Sequence, residues 1–195
     1  TQAFRDAVAH QDVSRQRPWK LVFRQSKIGP NALALPGGTI IMTDEMVALV
    51  NADTRVLTAV LAHELGHVQQ RHSLRMLVQG TVLGALGAVV LGDFSTLLAA
   101  VPALLGQAHY SREAEREADA HAVQVLKAAG LSPLHMVTLF EALEHERQKK
   151  ARQDQDAQQT KDPAAADDSP SWLGIAFASH PSDADRIAFF RAAAQ

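Results

Sequence analysis

Residues 63–67 read His-Glu-Leu-Gly-His, and no other stretch of the chain restricts its fold as much. In an α-helix, residues four apart lie on one face, one turn above the other. The rings of His63 and His67 can therefore reach one metal ion. Glu64 stands beside them, placed to take a proton from a water that the ion activates. The implied helix spans Thr54 to Arg71 and carries two rows: Val56, Val60, His63, Glu64 and His67 on one, and Leu57, Leu61, Leu65 and Val68 on the other. A helix that is apolar on two rows lies mostly inside a protein. Two histidines and a glutamate in such a helix need partners, because an unpaired buried charge is costly.

Two histidines do not complete a hydrolytic zinc site. Three protein ligands plus water is the usual count, and two histidines with a glutamate is an established set. Residues 111–129 (SREAEREADAHAVQVLKAA) supply a second helix with an apolar row of Ala118, Ala122, Val125, Leu126 and Ala129. Extended backwards at helical spacing, that row meets Glu115 and Asp119, while Arg112, Glu113, Arg116, Glu117 and Lys127 mostly face elsewhere. Glu115 is the candidate third ligand. Asp119, one turn on, can hold a ligand histidine by its second ring nitrogen. The alternative is an ordinary ion pair with Arg112 or Arg116 on a solvated face. His10, His72, His109, His121, His135 and His145 lack metal-ligand spacing with a partner and read as surface or satisfied residues.

Four segments, taken together, resemble the HtpX-like and CAAX-prenyl-protease-like zinc metalloproteases of the gluzincin group, in that family's order. They are NALALPGG at 31–38, HELGH at 63–67, SREAEREAD at 111–119 and HPSDADRI at 180–187. The resemblance covers roughly residues 20–195. It implies one Zn2+ held by His63, His67 and Glu115, with Asp119 as the following acid. It implies endopeptidase activity, often on misfolded or membrane-associated proteins, in the bacterial cell envelope. It also brings His180 and Arg186 towards the metal, where a cation would stabilise an oxyanion. In some envelope members the histidine equivalent to His180 instead closes the site as a fourth ligand. Locally, Pro181 and Ser182 also suit a plain helix start.

A length of 195 residues fits one domain with a proper core. The net charge of −2, without a basic arm, gives no reason to expect nucleic acid. Without cysteine there is no disulfide and no thiolate metal site, though the redox compartment stays open. Few aromatics and many alanines and leucines favour helix. The chain starts at Thr1 without a signal peptide, as expected of a processed or trimmed domain.

The expected fold is α+β, mainly α: a zincin-like domain with a small antiparallel sheet packed on the metal helix. Residues 1–16 read as a helix or tether, and 18–26 as a strand through Leu21-Val22-Phe23. The 31–43 segment reads as two strands around a type II turn at Pro36-Gly37-Gly38. The strand that follows, through Thr39 and Ile40, is expected to offer its edge to an extended substrate, so Pro36, Gly37, Gly38, Thr39 and Ile40 form the candidate substrate strand. A short helix at 44–50 precedes the metal helix, capped by Asp53 or Thr54.

Residues 76–92 and 94–106 are apolar, but each falls short of the about 20 residues needed to span a bilayer. They read as a hydrophobic helical hairpin on the core, or as a lid or membrane-touching element. Residues 132–150 form a helix with Ser132 as cap and Pro133 first. Residues 147–170 read as a mobile surface loop. Residues 172–177 return to the core, and 182–194 close the chain as a helix. The function expected is zinc-dependent cleavage of unfolded or extended polypeptides, with Glu64 as general base. The rival is a latched zinc-containing, chaperone-like binding module, closed by His180 or by 76–106.

Overall fold

A computed structural model describes residues 17–26, 29–79, 110–160 and 184–195, with the side chains of 150 and 153–160 excepted. The readings of 1–16 as a tether, of most of 76–106 as a hairpin or lid, of 172–177 as a core return and of His180 as a site residue lie outside the described residues. The described part is mainly helical. Strands β1 (Lys20–Arg24), β2 (Ala32–Ala34) and β3 (Thr39–Thr43) are followed by helices α1 (Asp44–Leu49), α2 (Thr54–Gln70), α3 (Arg112–Ala128), α4 (Leu134–Thr160) and α5 (Ala184–Ala193). Residues 72–79 add a further helical run after α2. Among the described residues no helix is long and apolar enough to cross a membrane.

The expected hairpin forms around Leu35–Gly38. Gly38 N donates to Leu35 O at 3.1 Å, and Gly37 adopts φ +97°, the left-handed conformation that the third residue of a type II turn requires. The sheet is not wholly antiparallel, however. Its strand order is β1-β3-β2, with β2 antiparallel and β1 parallel to β3. Three strands that run up, down and up, with the third inserted between the first two, must make a parallel pair with the first. The expectation of a free edge on β3 is corrected by the same order, because both edges of Thr39–Thr43 are already hydrogen-bonded. Gly38 is packed too tightly for any side chain: a Cβ there would meet the Pro18 carbonyl oxygen. Ile40 points wholly into the core. The outer strands on either side of β3 are β1 and β2, and β2 is the one that directly follows Asn31.

The sheet lies against α2, whose two rows are buried as the sequence predicts, apart from the half-buried Leu57. Asp53 caps α2 by accepting from Arg55 N at 2.9 Å. Helix α3 crosses α2 in backbone contact. A Cβ at Gly66 would lie 2.8 Å from Ala118 Cα, so only glycine permits the crossing. At α4, Ser132 Oγ accepts from Leu134 N at 3.2 Å, and Met136, Val137, Leu139 and Phe140 enter the core.

Helix α4 overturns part of the expected loop at 147–170, because it continues to Thr160. Residues 147–160 contain neither glycine nor proline and are rich in Gln, Lys, Arg and Ala, which sit well in an exposed helix. Arg147 also bonds back to Glu144 at 2.8 Å, one turn earlier. Polarity alone cannot tell such a helix from a loop. Finally, α5 docks through Phe190 against Phe140, ring to ring at 6.0 Å, which carries Arg186 into the interior.

Candidate metal centre

The crossing of α2 and α3 brings three donors together. His63 Nε2 lies 3.1 Å from His67 Nε2 and 3.4 Å from Glu115 Oε2, and His67 Nε2 lies 3.3 Å from Glu115 Oε1. All three residues are buried, and among the described residues theirs is the one group that could hold a metal ion. Four-coordinate zinc, with bonds of about 2.0–2.1 Å at tetrahedral angles, separates its ligand atoms by about 3.3–3.4 Å. The two nitrogens and the Glu115 carboxylate, which turns a different oxygen to each histidine, are separated by distances of that order.

Each histidine is held at its other ring nitrogen. His63 Nδ1 lies 2.9 Å from Asp119 Oδ1, as the spacing on α3 suggests it can. Arg186 then grips Asp119 with two parallel bonds, Nε to Oδ2 and Nη2 to Oδ1, each 2.7 Å long. Its third nitrogen, Nη1, reaches Glu115 Oε2 at 2.9 Å. The guanidinium also stacks over the Phe140 ring, 5.0 Å from its centre. The guanidinium on α5 thus binds both acids on the row of α3.

The electrostatics follow from burial and partners. Burial alone would lower His63, but Asp119 and Glu115 outweigh it and raise the ring to about 9. Burial would raise Asp119, but the bonds to His63 and Arg186 hold it below the usual carboxylate range. Burial, reinforced by the charge of Glu64, keeps the Tyr110 phenol protonated well above its ordinary value.

Glu64 is 2 % exposed. With Asn31, His63, Arg186 and several apolar side chains it lines a cavity of about 40 Å³, room for a water molecule. Asn31 was not singled out by the sequence reading. Its Oδ1 accepts from Ala32 N at 2.8 Å, and among the described residues its buried Nδ2 has no hydrogen-bond partner. Its position at the start of the NALALPGG segment was the available signal. A larger cavity of about 470 Å³, lined by Tyr110, Glu115, Asp119, Arg186 and Phe189 among others, flanks the donor triangle.

Two further residues escaped the sequence reading. Tyr110 stacks on the His67 ring, 3.9 Å between centres at 18°. Its hydroxyl meets Ser73 Oγ at 2.7 Å, and both hydroxyls reach the Ala34 carbonyl. His72 is buried and touches His67, so it is neither a surface residue nor remote from the site. Burial pushes it below the ordinary imidazole value, against the pull of Glu117. His121 differs from the satisfied reading as well: its Nε2 has no hydrogen-bond partner among the described residues, and burial, then the charge of His63, lowers it to about 4.

The description of Peptidase family M48 matches residues 1–194. The beta-barrel assembly-enhancing protease of Escherichia coli (strain K12) is 32% identical over 126 residues, which are 58% of this chain and 26% of that protein. The protein of the same name from Yersinia pestis is 29% identical over 129 residues, 58% of this chain and 26% of that protein. A putative beta-barrel assembly-enhancing protease of Vibrio cholerae is 28% identical over 129 residues, 60% of this chain and 26% of that protein. The chain thus spans about a quarter of the length of these relatives.

Proposed function

We propose that this chain, which belongs to peptidase family M48, acts as a zinc metalloendopeptidase in which His63, His67 and Glu115 hold one zinc ion and Glu64 serves as general base. The observation that carries this reading is the buried cluster itself: the two Nε2 atoms stand 3.1 Å apart and each faces its own oxygen of the Glu115 carboxylate, His63 at 3.4 Å and His67 at 3.3 Å, separations of the order that tetrahedral zinc imposes on its ligands. When bound, zinc supplies Lewis acidity, which lowers the pKa of water and polarises a carbonyl.

The remaining work belongs to the side chains. Glu64, at the small cavity beside His63, takes the water proton and returns it to the leaving amine. Asp119 keeps the proton on His63 Nδ1 and so aims Nε2 at the ion. Arg186 holds Asp119 and Glu115 in place, a positioning task, and we assign it no direct contact with the oxyanion. His180, outside the described residues, stays a proposed oxyanion donor or fourth ligand.

The substrate strand moves from Thr39–Ile40 to β2. Asn31 O and Leu35 N bond towards β3, so by alternation Ala32 O and Ala34 N face outward. An extended peptide pairing there by main-chain bonds runs past Asn31 Nδ2, which can donate to it. Recognition of this kind is tolerant of sequence and suits unfolded chains. The relatives are named for beta-barrel assembly, and closed β-barrels are one of the structures that span bacterial outer membranes. We therefore read the domain as acting in the bacterial envelope on unfolded or extended polypeptides.

The test is cleavage of denatured casein. Chelation abolishes it and stoichiometric zinc restores it; cleavage that persists after the metal is removed overturns the assignment. A second expectation follows from His63. Without metal the ring is charged below about 9, whereas a ligand histidine must be neutral. Zinc uptake at pH 7–8 therefore releases about one proton from this ring, and affinity rises about tenfold per pH unit until pH 9, then loses that slope. Calorimetry in buffers of different ionisation enthalpy measures the proton count.

A further inference from the structure

Asp119 holds His63, while the second ring nitrogen of His67 meets a different kind of partner. His67 Nδ1 lies 2.8 Å from His72 Nδ1, and His72 Nε2 lies 2.9 Å from Glu117 Oε2. These two contacts admit one arrangement of protons once His67 Nε2 is a metal ligand. A ligand nitrogen carries no proton, so neutral His67 holds its proton on Nδ1 and donates it to His72 Nδ1. His72 is then an acceptor at Nδ1, holds its own proton on Nε2, and donates that to the Glu117 carboxylate. Every ring nitrogen in the chain has a defined task.

We propose that Glu117 and His72 form a two-step positioning relay that sets the tautomer and the aim of His67, an inference that rests on the reading of His67 as a zinc ligand. The His63 arm ends directly on a buried acid. The His67 arm interposes an imidazole and ends on a side chain that is 37% exposed. All three acids, Glu115, Glu117 and Asp119, come from α3, so one helix orients both histidines of the other.

The backbone shows how the relay is built. In an unbroken helix, residue 72 would lie about 140° around the axis from residue 67. Helix α2 instead ends at Arg71, whose φ of 57° and ψ of 34° are left-handed. That single residue turns the chain and sets His72 against the edge of His67, with 4 % of its surface exposed. Tyr110 covers the face of the His67 ring. Beyond Glu117, Arg75 Nη1 stands 3.7 Å away on the solvent side. The ring of His67 is therefore fixed by a stack on its face and a hydrogen bond at its edge.

The experiment measures zinc affinity by chelator competition on the whole chain as wild type, His72→Leu, His72→Gln and Glu117→Ala, and reads ring tautomers by long-range 1H–15N NMR on the zinc-loaded wild type. His72→Leu removes the acceptor and weakens zinc by about 10–100-fold. His72→Gln supplies an amide oxygen to His67 Nδ1–H and recovers most of the loss. Glu117→Ala, on a part-exposed side chain, weakens zinc by a few-fold. The NMR shows the proton on Nε2 of His72 and on Nδ1 of His67. An unchanged affinity in His72→Leu, a His72→Gln as weak as His72→Leu, or a proton on His72 Nδ1 overturns the relay. Should His72→Leu not fold, the wild-type tautomers and Glu117→Ala decide alone: wild-type affinity in Glu117→Ala overturns it. A wild type that takes up no zinc overturns the metal centre itself, which separates the two failures.

Discussion

Glu64→Gln is expected to lower casein turnover by about 10²–10⁴-fold, the usual weight of a general base, while the zinc content stays at one ion per chain. The amide has the shape of the acid but cannot hold the transferred proton. Glu64 is not one of the three residues of the candidate metal group, so metal affinity has no reason to fall. The buried side chain borders a cavity of about 40 Å³ shared with His63, Asn31 and Arg186, and the neutral amide costs less to bury than the carboxylate. Turnover, metal content and thermal midpoint measured on one preparation separate these effects. Turnover within a few-fold of wild type moves the base elsewhere, although Asp119 is already committed to His63 and Arg186.

Arg186→Met gives the largest expected loss of stability, about 3–5 kcal/mol, as when one partner is removed from a buried ion pair. Arg186 is 6 % exposed and neutralises two carboxylates that are each 2 % exposed. Methionine fills much of the volume and keeps the packing on Phe140, so the loss reports charge more than cavity. Two controls follow. Zinc supplies a cation to Glu115 and so offsets part of the loss, making the deficit largest in the metal-free protein. The double variant Arg186→Met with Asp119→Asn removes the stranded charge as well and is more stable than the two single losses added together. Urea unfolding of the four proteins, with and without zinc, gives these differences. A loss below about 1 kcal/mol in the metal-free single variant rejects the clamp, since exposed pairs contribute that little.

What could be read from the sequence was what repeats along a helix. The two rows of α2 and the backward extension of the α3 row to Glu115 and Asp119 depend on a spacing of three or four residues, and the folded chain buries those positions. The Pro36-Gly37 turn was legible because its conformation is local. The strand order was not, because which strand enters the middle of a sheet is settled by contacts between distant segments. His72 was missed for the opposite reason: helical spacing applied across Arg71 points it away from His67, and nothing in an arginine announces a left-handed turn. The bonds from Arg186 to Asp119 span 67 positions, and only the docking of α5 through Phe190 makes them. The end of α4 was missed because an exposed helix and a polar loop have the same composition.

Gly66 sits between His63 and His67, the two histidines of the proposed metal centre. Its missing Cβ lets α2 rest on the backbone of α3 at Ala118, where a methyl group would come within 2.8 Å. A gap set by side chains can widen when a rotamer changes, whereas a gap set by backbone against backbone has nothing to rearrange. The distance from both imidazoles to Glu115 is therefore stiff. Calcium asks for six or more oxygens at about 2.3–2.6 Å, and magnesium for an octahedron that keeps its waters. Neither can be served by a small nitrogen-rich triangle that does not expand. On the proposed ligand set, discrimination among cations thus rests on this helix crossing as well as on the nitrogen donors, and the crossing is held by the residue that has no side chain.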